Sequence, residues 1–342
     1  MEYVKFGNTG MDVSKICLGT MGFGDKDKWI HKWVLNEANS RPIIKKALDL
    51  GINFFDTANI YSYGESEKIV GRALKDYANR DDVVLATKVQ QTMRPDRPNS
   101  GGLSRKTILS EIDHSLKRLE TDYVDLYIIH RFDENTPIEE TMEALHDVVK
   151  SGKARYIGAS AMYAWQFQKA QRVAERNGWT KFVSMQNHYN MIYREEEREM
   201  IPFCRDEKIA ITPYSPLASG RLTRDLNETT NRSETDPVQK SKYDDMMNAD
   251  RGIIERVAEL AETHQVSRDK IALAWLLNKD EITSPIIGAQ KESHLESAVE
   301  ALNIQLTAAE VNYLEELYIP HPVVGALPTT NNQMEHELDG KI

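Results

Sequence analysis

Several things are scarce in this chain, and each scarcity excludes something. Only two cysteines, Cys17 and Cys204, occur among 342 residues. No disulfide framework can therefore carry the fold, and the pattern fits a reducing compartment. Basic residues are outnumbered by acidic ones, 43 against 53, for a formal net charge of -10. A chain of that sign is expected to take neither nucleic acid nor an anionic membrane surface as its main partner. No apolar run approaches the length that crosses a bilayer, and the first residues lack the apolar core of a leader peptide. The expectation is a soluble, cytoplasmic protein. A Rossmann fingerprint is absent too: Gly19-Thr20-Met21-Gly22-Phe23-Gly24 has neither the G-x-G-x-x-G spacing nor the strand–helix setting.

What the chain does have is apolar residues, 40% of the total, ample for one large core. Its length exceeds that of a usual domain but lies within the range of an α/β barrel. Tyr3 to Phe6 and Met11 to Ser14, around Asn8-Thr9-Gly10, predict a β-hairpin. Eight short apolar runs follow as predicted strands, ending at Leu18, Asp56, Lys88, His130, Ser160, Gln186, Tyr214 and Gly288. Helical patterns alternate with them, the strongest at Ser104 to Leu119, where Ile108, Ile112, Leu116 and Leu119 share a face and Ser104 is placed to cap. Strict alternation implies a parallel sheet with right-handed crossovers.

The strand ends choose between an open sheet and a closed barrel. Asp56, Lys88, His130, Ser160, Gln186 and Tyr214 each close a different strand, and each is polar. In a (β/α)8 TIM barrel all such ends converge on one face. We therefore expect a single α/β barrel domain over residues 1–342, with the hairpin plugging its bottom and an extra helix near the C-terminus. Residues 224–249 are expected to form a long lid loop and residues 320–342 a tail.

One stretch stands out chemically. Gly51-Ile52-Asn53-Phe54-Phe55-Asp56-Thr57-Ala58-Asn59-Ile60-Tyr61 delivers a carboxylate from a buried-looking strand and a phenol five residues later. A buried carboxylate needs a cationic partner, and Lys88 closes the next strand. Taken singly, Asp56 and Lys88 also fit a structural ion pair, His130 a satisfied core histidine and Tyr61 an ordinary loop aromatic.

Together with Ala86-Thr87-Lys88, Tyr123 to His130, Gly152 to Ser160, Gln186-Asn187, Tyr214 to Leu217 and Pro285 to Gly288, these residues make the chain resemble an aldo-keto reductase. Within that superfamily it is most similar to the bacterial YajO-like branch. The resemblance implies hydride transfer between NADPH and a small carbonyl substrate, with Asp56, Tyr61, Lys88 and His130 as the catalytic tetrad and no metal. A lysinium next to Tyr61 is expected to lower the phenol pKa, Asp56 to orient the lysinium, and His130 to hydrogen-bond the carbonyl oxygen. The resemblance further implies that Tyr214 stacks on the nicotinamide and that Ser160 and Gln186 bond its carboxamide. Ser215, Leu217 and Gly220 fall in the loop that clasps the pyrophosphate. Gly288 opens the segment around the adenosine 2′-phosphate, where Lys291 and His294 are the candidate phosphate contacts. Two positions depart from many relatives: Ala161 stands where Asn would add a carboxamide contact, and Ser297-Ala298 where Glu-Asn would meet the adenine.

Trp29 and Trp33, in the first loop of the active face, are candidates to line a substrate pocket or to pack on the surface. Arg131 is expected to pair with Asp133 or Glu134, or else to select anionic substrates. Two other functions compete with catalysis. The family also contains non-catalytic channel subunits that sense nucleotide with the same barrel, but these usually carry Asn at the position of His130. A metal-dependent sugar isomerase would need a Glu/Asp/His cluster that the strand ends lack.

Overall fold

The computed structural model describes residues 1–324. Strands β1 (Tyr3–Lys5) and β2 (Asp12–Ser14) form the antiparallel hairpin. Eight parallel strands follow: β3 (Cys17–Gly19), β4 (Phe54–Asp56), β5 (Val84–Val89), β6 (Val124–Ile129), β7 (Ala154–Ser160), β8 (Phe182–Gln186), β9 (Ala210–Ile211) and β10 (Ile286–Gly288). They are ordered β10-β3-β4-β5-β6-β7-β8-β9. The last gap is bridged when Thr283 N donates to Ile211 O (2.9 Å) and Ile286 N to Pro213 O (2.8 Å), so the sheet closes into the expected barrel. Strand β9 is shorter than the run ending at Tyr214, because Pro213 has no N–H for the ladder. Tyr214 still lies in line with the strand, bridging His188.

The hairpin closes the end where the strands begin. Phe6 and Val13 are buried with Cys17, Phe54 and Val84, and Phe6 meets Phe54 edge-on at 5.6 Å. Its turn fits only because Gly7 has φ +55 and lies where a Cβ would come within 2.5 Å of Ala210 N.

The barrel is wrapped by α1 (Glu37–Asp49), α2 (Glu65–Tyr77), α3 (Arg105–Leu119), α4 (Ile138–Lys150), α5 (Ala164–Asn177) and α6 (Met200–Asp206). Then come α7 (Asn231–Thr235), α8 (Pro237–Tyr243), α9 (Met247–His264), α10 (Arg268–Leu277), α11 (Glu292–Glu300) and α12 (Ala308–Glu315). In α3, Ser104 Oγ accepts from Thr107 N at 3.2 Å, and the four predicted apolar positions are buried, each contributing roughly 1.5–3 kcal/mol. Helix α12 is the extra C-terminal helix. The expected tail starts among described residues but runs beyond them. No helix among the described residues is long and apolar enough to cross a membrane.

The lid-loop expectation needs a correction. Residues 224–249 are not plain coil: they hold α7, α8 and the start of α9. Capping chemistry explains this. Thr230 and Ser233 cap α7 reciprocally, and Asp236 Oδ1 accepts from Gln239 N (3.1 Å) just before Pro237 starts α8.

Candidate active site

Register brings the strand ends to one level. Asp56 ends β4, Lys88 is the penultimate residue of β5, and His130 directly follows β6, its N–H donating to Val89 O at 2.8 Å. Lys88 is fully buried and Asp56 is 2% exposed. The Lys88 ammonium donates three ways: to Asp56 Oδ1, to Thr57 O (2.9 Å) and to Tyr61 Oη (3.2 Å). The second Asp56 oxygen accepts from Gln186 Nε2 at 2.9 Å. Every lysine proton and both carboxylate oxygens are thus engaged, which is what makes a buried ion pair tolerable. The His130 ring stands edge-on to Tyr61 at 5.8 Å.

Tyr61 is delivered by a strained turn. Ser62 (φ 47, ψ 39) and Tyr63 (φ 49, ψ 46) are consecutive non-glycine residues in the left-handed region, each costing about 1–2 kcal/mol. The turn is held by Tyr61 N to Ala58 O (3.2 Å), Tyr63 N to Ile60 O (2.9 Å) and Asp25 N to Ser62 Oγ (3.3 Å). Strain of this kind collects where a side chain must be aimed.

Protonation states follow from burial and neighbours. Burial pulls the Lys88 pKa down, but Asp56 and Tyr61 outweigh it and hold it above the usual lysine value. For Tyr61 burial is also the largest influence, and it raises the phenol pKa against the pull of Lys88. The expected lowering is therefore reversed in sign: the lysinium offsets part of the burial cost without overcoming it. Burial, helped by Lys88, Arg131 and Lys242, drives the His130 pKa well below 6.5. His130 is neutral at pH 7. Its Nδ1 is buried without a hydrogen-bond partner, which leaves Nε2 as the nitrogen able to meet a substrate.

The remaining predicted residues fall into three groups. Ser160, Gln186 and Tyr214 lie beside the tetrad. Ser160 Oγ donates to Gln186 O at 3.0 Å, so its lone pairs stay available to an amide N–H. The Tyr214 ring is half-buried and stacks on His188, 5.2 Å away and 10° from parallel. Ser215, Leu217 and Gly220 form a turn at the head of the long segment, with Gly220 N donating to Leu217 O at 2.8 Å. Gly288, Lys291 and His294 are exposed at the end of β10 and the start of α11, and nothing stands within 4 Å of a Cβ built on Gly288. These positions fit a nicotinamide dinucleotide: a ring platform and two carboxamide partners at the strand ends, and cations at a helix N-terminus. Ala161, at φ 41, has a backbone conformation that suits Asn better than Ala.

Neither tryptophan packs on the surface. Trp29 is 7% exposed and lies 5.9 Å from the Tyr61 ring. Trp33 is turned to the long segment, under the Arg232 guanidinium at 4.2 Å. Arg131 corrects an expectation, because it pairs with neither Asp133 nor Glu134. Asp133 is saturated by Leu103 N (2.7 Å), Thr136 Oγ1 (2.7 Å) and Asn135 N (2.9 Å), and Arg131 bonds only the His130 carbonyl, at 3.1 Å.

Sequence reading missed Tyr243, Lys242 and His31, which lie near the site. Tyr243, buried at the end of α8, shares its hydroxyl with His188 Nε2 (2.7 Å) and Asn190 Nδ2 (3.1 Å). Lys242 places Nζ 4.8 Å from the Tyr214 ring centre. His31 faces Asp236 at 3.5 Å, both buried. No local pattern marks these pairings, which join residues far apart in sequence. A separate cavity between residues 223–228 and α9–α10 is lined by Arg224 and Arg268 and shares no residue with the tetrad. Among the described residues, no three His, Cys, Asp or Glu are grouped to hold a metal ion.

A barrel with a buried Asp–Lys pair bonded to a tyrosine, and a histidine on the next strand end, defines a class. The chain belongs to the aldo/keto reductase family, whose model matches residues 15–319. It is 44% identical to the versiconal hemiacetal acetate reductase of Aspergillus parasiticus over 94% of this chain and 98% of that protein. It is likewise 44% identical to aldo-keto reductase dtxS3 of Metarhizium robertsii (95% and 93% covered) and 42% identical to aldo-keto reductase AMT2 of Alternaria alternata (94% and 93%). All three are fungal, so they carry the family and not the bacterial YajO-like branch. Family and relatives together support an oxidoreductase that reduces carbonyl groups.

Proposed function

We propose that the protein is a cytoplasmic, NADPH-dependent reductase of small aldehydes or ketones in which Tyr61 is the general acid. The observation that carries this reading is the Tyr61 hydroxyl held 3.2 Å from a lysinium that Asp56 fixes in place. The cofactor, when bound, supplies the hydride to the carbonyl carbon. The protein's task is the oxygen, which gains negative charge and needs a proton. Tyr61, protonated at neutral pH like any phenol and held so more firmly by burial, gives that proton from Oη. The phenolate left behind rests against the Lys88 ammonium, so the ion pair stabilises the state after transfer more than the state before it. Neutral His130 donates from Nε2 to the same oxygen and fixes which face of the carbonyl is presented. Tyr214 would give a bound nicotinamide its platform, with Ser160 and Gln186 toward the carboxamide. Ser215, Leu217 and Gly220 would border the pyrophosphate.

Lys291 and His294, at the exposed start of α11, are assigned to the 2′-phosphate, with Lys291 as the leading contact. Lys291→Ala is expected to weaken NADPH binding much more than NADH binding, as fluorescence titration will show; an equal effect on both removes the lysine from phosphate recognition. The reaction itself is tested by incubating the protein with NADPH and a panel of aldehydes and ketones, following alcohol formation against cofactor oxidation. Stoichiometric reduction supports a reductase. Tight NADPH binding with no turnover on any carbonyl favours the regulatory-subunit alternative.

A further inference from the structure

Two cations flank the tetrad without a carboxylate of their own. Lys242 Nζ stands 4.8 Å from the centre of the Tyr214 ring, and Arg131 Nη1 donates only to the carbonyl of His130, at 3.1 Å. Both side chains are partly buried. Nearly every other partly buried arginine or lysine of this acidic chain has an acidic partner, as Arg80 with Asp125, Arg118 with Glu67 and Arg194 with Glu315 do. The natural partner of Arg131, Asp133, is occupied by loop donors. Lys242 is placed by its neighbour: the Tyr243 hydroxyl is fixed between His188 and Asn190, so the end of α8 is tied to the barrel while the four-carbon lysine stem remains free to swing. Their charges reach the same groups: burial is the main cause of the low pKa of His130 and His188, and Lys242 and Arg131 both add to it. Trp29, next to Tyr61, supplies an apolar wall from the loop that follows β3.

We infer that Lys242, with Arg131, is a specificity residue that binds the carboxylate of a carbonyl substrate whose carbonyl oxygen lies at Tyr61 and His130. The inference rests on the proposed reductase reading and adds the substrate class: an aldehyde or ketone bearing a carboxylate across a flat, apolar spacer. A nicotinamide stacked on Tyr214 would take the ring face beneath Nζ. The flexible stem lets the ammonium leave the ring without disturbing Tyr243, and the His130 side is where its field already acts. An ammonium and a guanidinium together offer a carboxylate both a point charge and a planar pair of donors.

The test compares para-carboxybenzaldehyde with para-formylbenzamide, near-isosteric and differing by one charge, on wild type, Lys242→Met, Lys242→Arg and Arg131→Met. The wild type is expected to prefer the carboxylate in kcat/KM by about tenfold to a hundredfold, the range for hydrogen bonds to a charged group. Lys242→Met brings that ratio down toward one, Lys242→Arg restores most of it, and Arg131→Met lowers it in part. Benzoate and benzamide binding, measured by calorimetry with and without NADP+, reads the anion site independently of turnover. Benzoate bound through Lys242 with no reduction of either aldehyde would sink the reductase reading and keep the anion site. Equal turnover of both aldehydes, with no Lys242-dependent benzoate binding, would overturn the anion site and keep the reductase. A Lys242→Met protein that loses NADPH affinity while its substrate ratio is intact would also overturn it, assigning the lysine to the cofactor.

Discussion

The tetrad and the α7–α8 segment near it are held by different means. Asp56, Lys88 and His130 sit on neighbouring parallel strands, so the backbone ladder sets their relative height before any side chain interacts. The stretch from α7 to α8 has no ladder. It is attached by side-chain contacts: Tyr243, buried in the main core, bonds His188 and Asn190, and Arg232 lies over Trp33. One region is set by the backbone ladder; the other is held by side-chain contacts and by the burial of Tyr243. Elements without a ladder open at lower free energy than a ladder-held core.

Breaking each region should therefore give a different signature. The largest effect is expected at the ladder-held pair. Lys88→Met leaves Asp56 buried with only Gln186 as a partner, a loss of about 3–5 kcal/mol, and denaturant unfolding should show it across the whole domain as one transition. A variant as stable as wild type would mean that the pair is not buried as described.

Next comes pH. Burial drives the His31 pKa down to about 4, and pushes His130 and His188 well below 6.5. The unfolded chain binds these protons below pH 6.5 while the folded chain refuses them, so stability falls as pH drops through that window. Each such histidine contributes up to about 1.4 kcal/mol per pH unit. At His321 burial is outweighed by the Asp250 and Ile319 hydrogen bonds, and the pKa is raised; its contribution is lost above pH 6.5, not below. His31→Gln should flatten the Tm-against-pH curve between pH 6.5 and 5 by roughly one histidine's share. An unchanged slope would place His31 in water.

A more local effect is expected at α8. Tyr243→Phe strands the polar atoms of His188 and Asn190, costing about 1–3 kcal/mol. Limited proteolysis should then cut within residues 224–249 sooner, while the barrel's unfolding transition moves little. Uniform destabilisation without faster local cleavage would make α8 part of the barrel's cooperative unit.

The same contrast explains what could be read from the sequence. The barrel, the hairpin plug and the positions of Asp56, Lys88, His130, Ser160 and Gln186 follow from strand period and strand ends, which are local properties. Helices α7 and α8 were hidden in a polar stretch, although Thr230, Asp236 and Pro237 carry capping signals for them. Lys242, Tyr243 and His31 act through partners tens of residues or more away, where no spacing rule reaches. Arg131 was misassigned because charge complementarity with Asp133 ignores the loop N–H groups that claim that carboxylate first. The sign of the Tyr61 shift also escaped the sequence, since the depth of burial that decides it is a property of the folded barrel.

The proposed reductase chemistry requires Tyr61 as the proton donor. The direct measurement pairs the steady-state kcat of Tyr61→Phe on a reducible aldehyde with its NADPH dissociation constant. Removal of the hydroxyl is predicted to lower kcat by at least about a hundredfold, the scale of general acid catalysis, with cofactor affinity essentially unchanged. Near wild-type turnover by the phenylalanine variant, with NADPH bound as before, would contradict it.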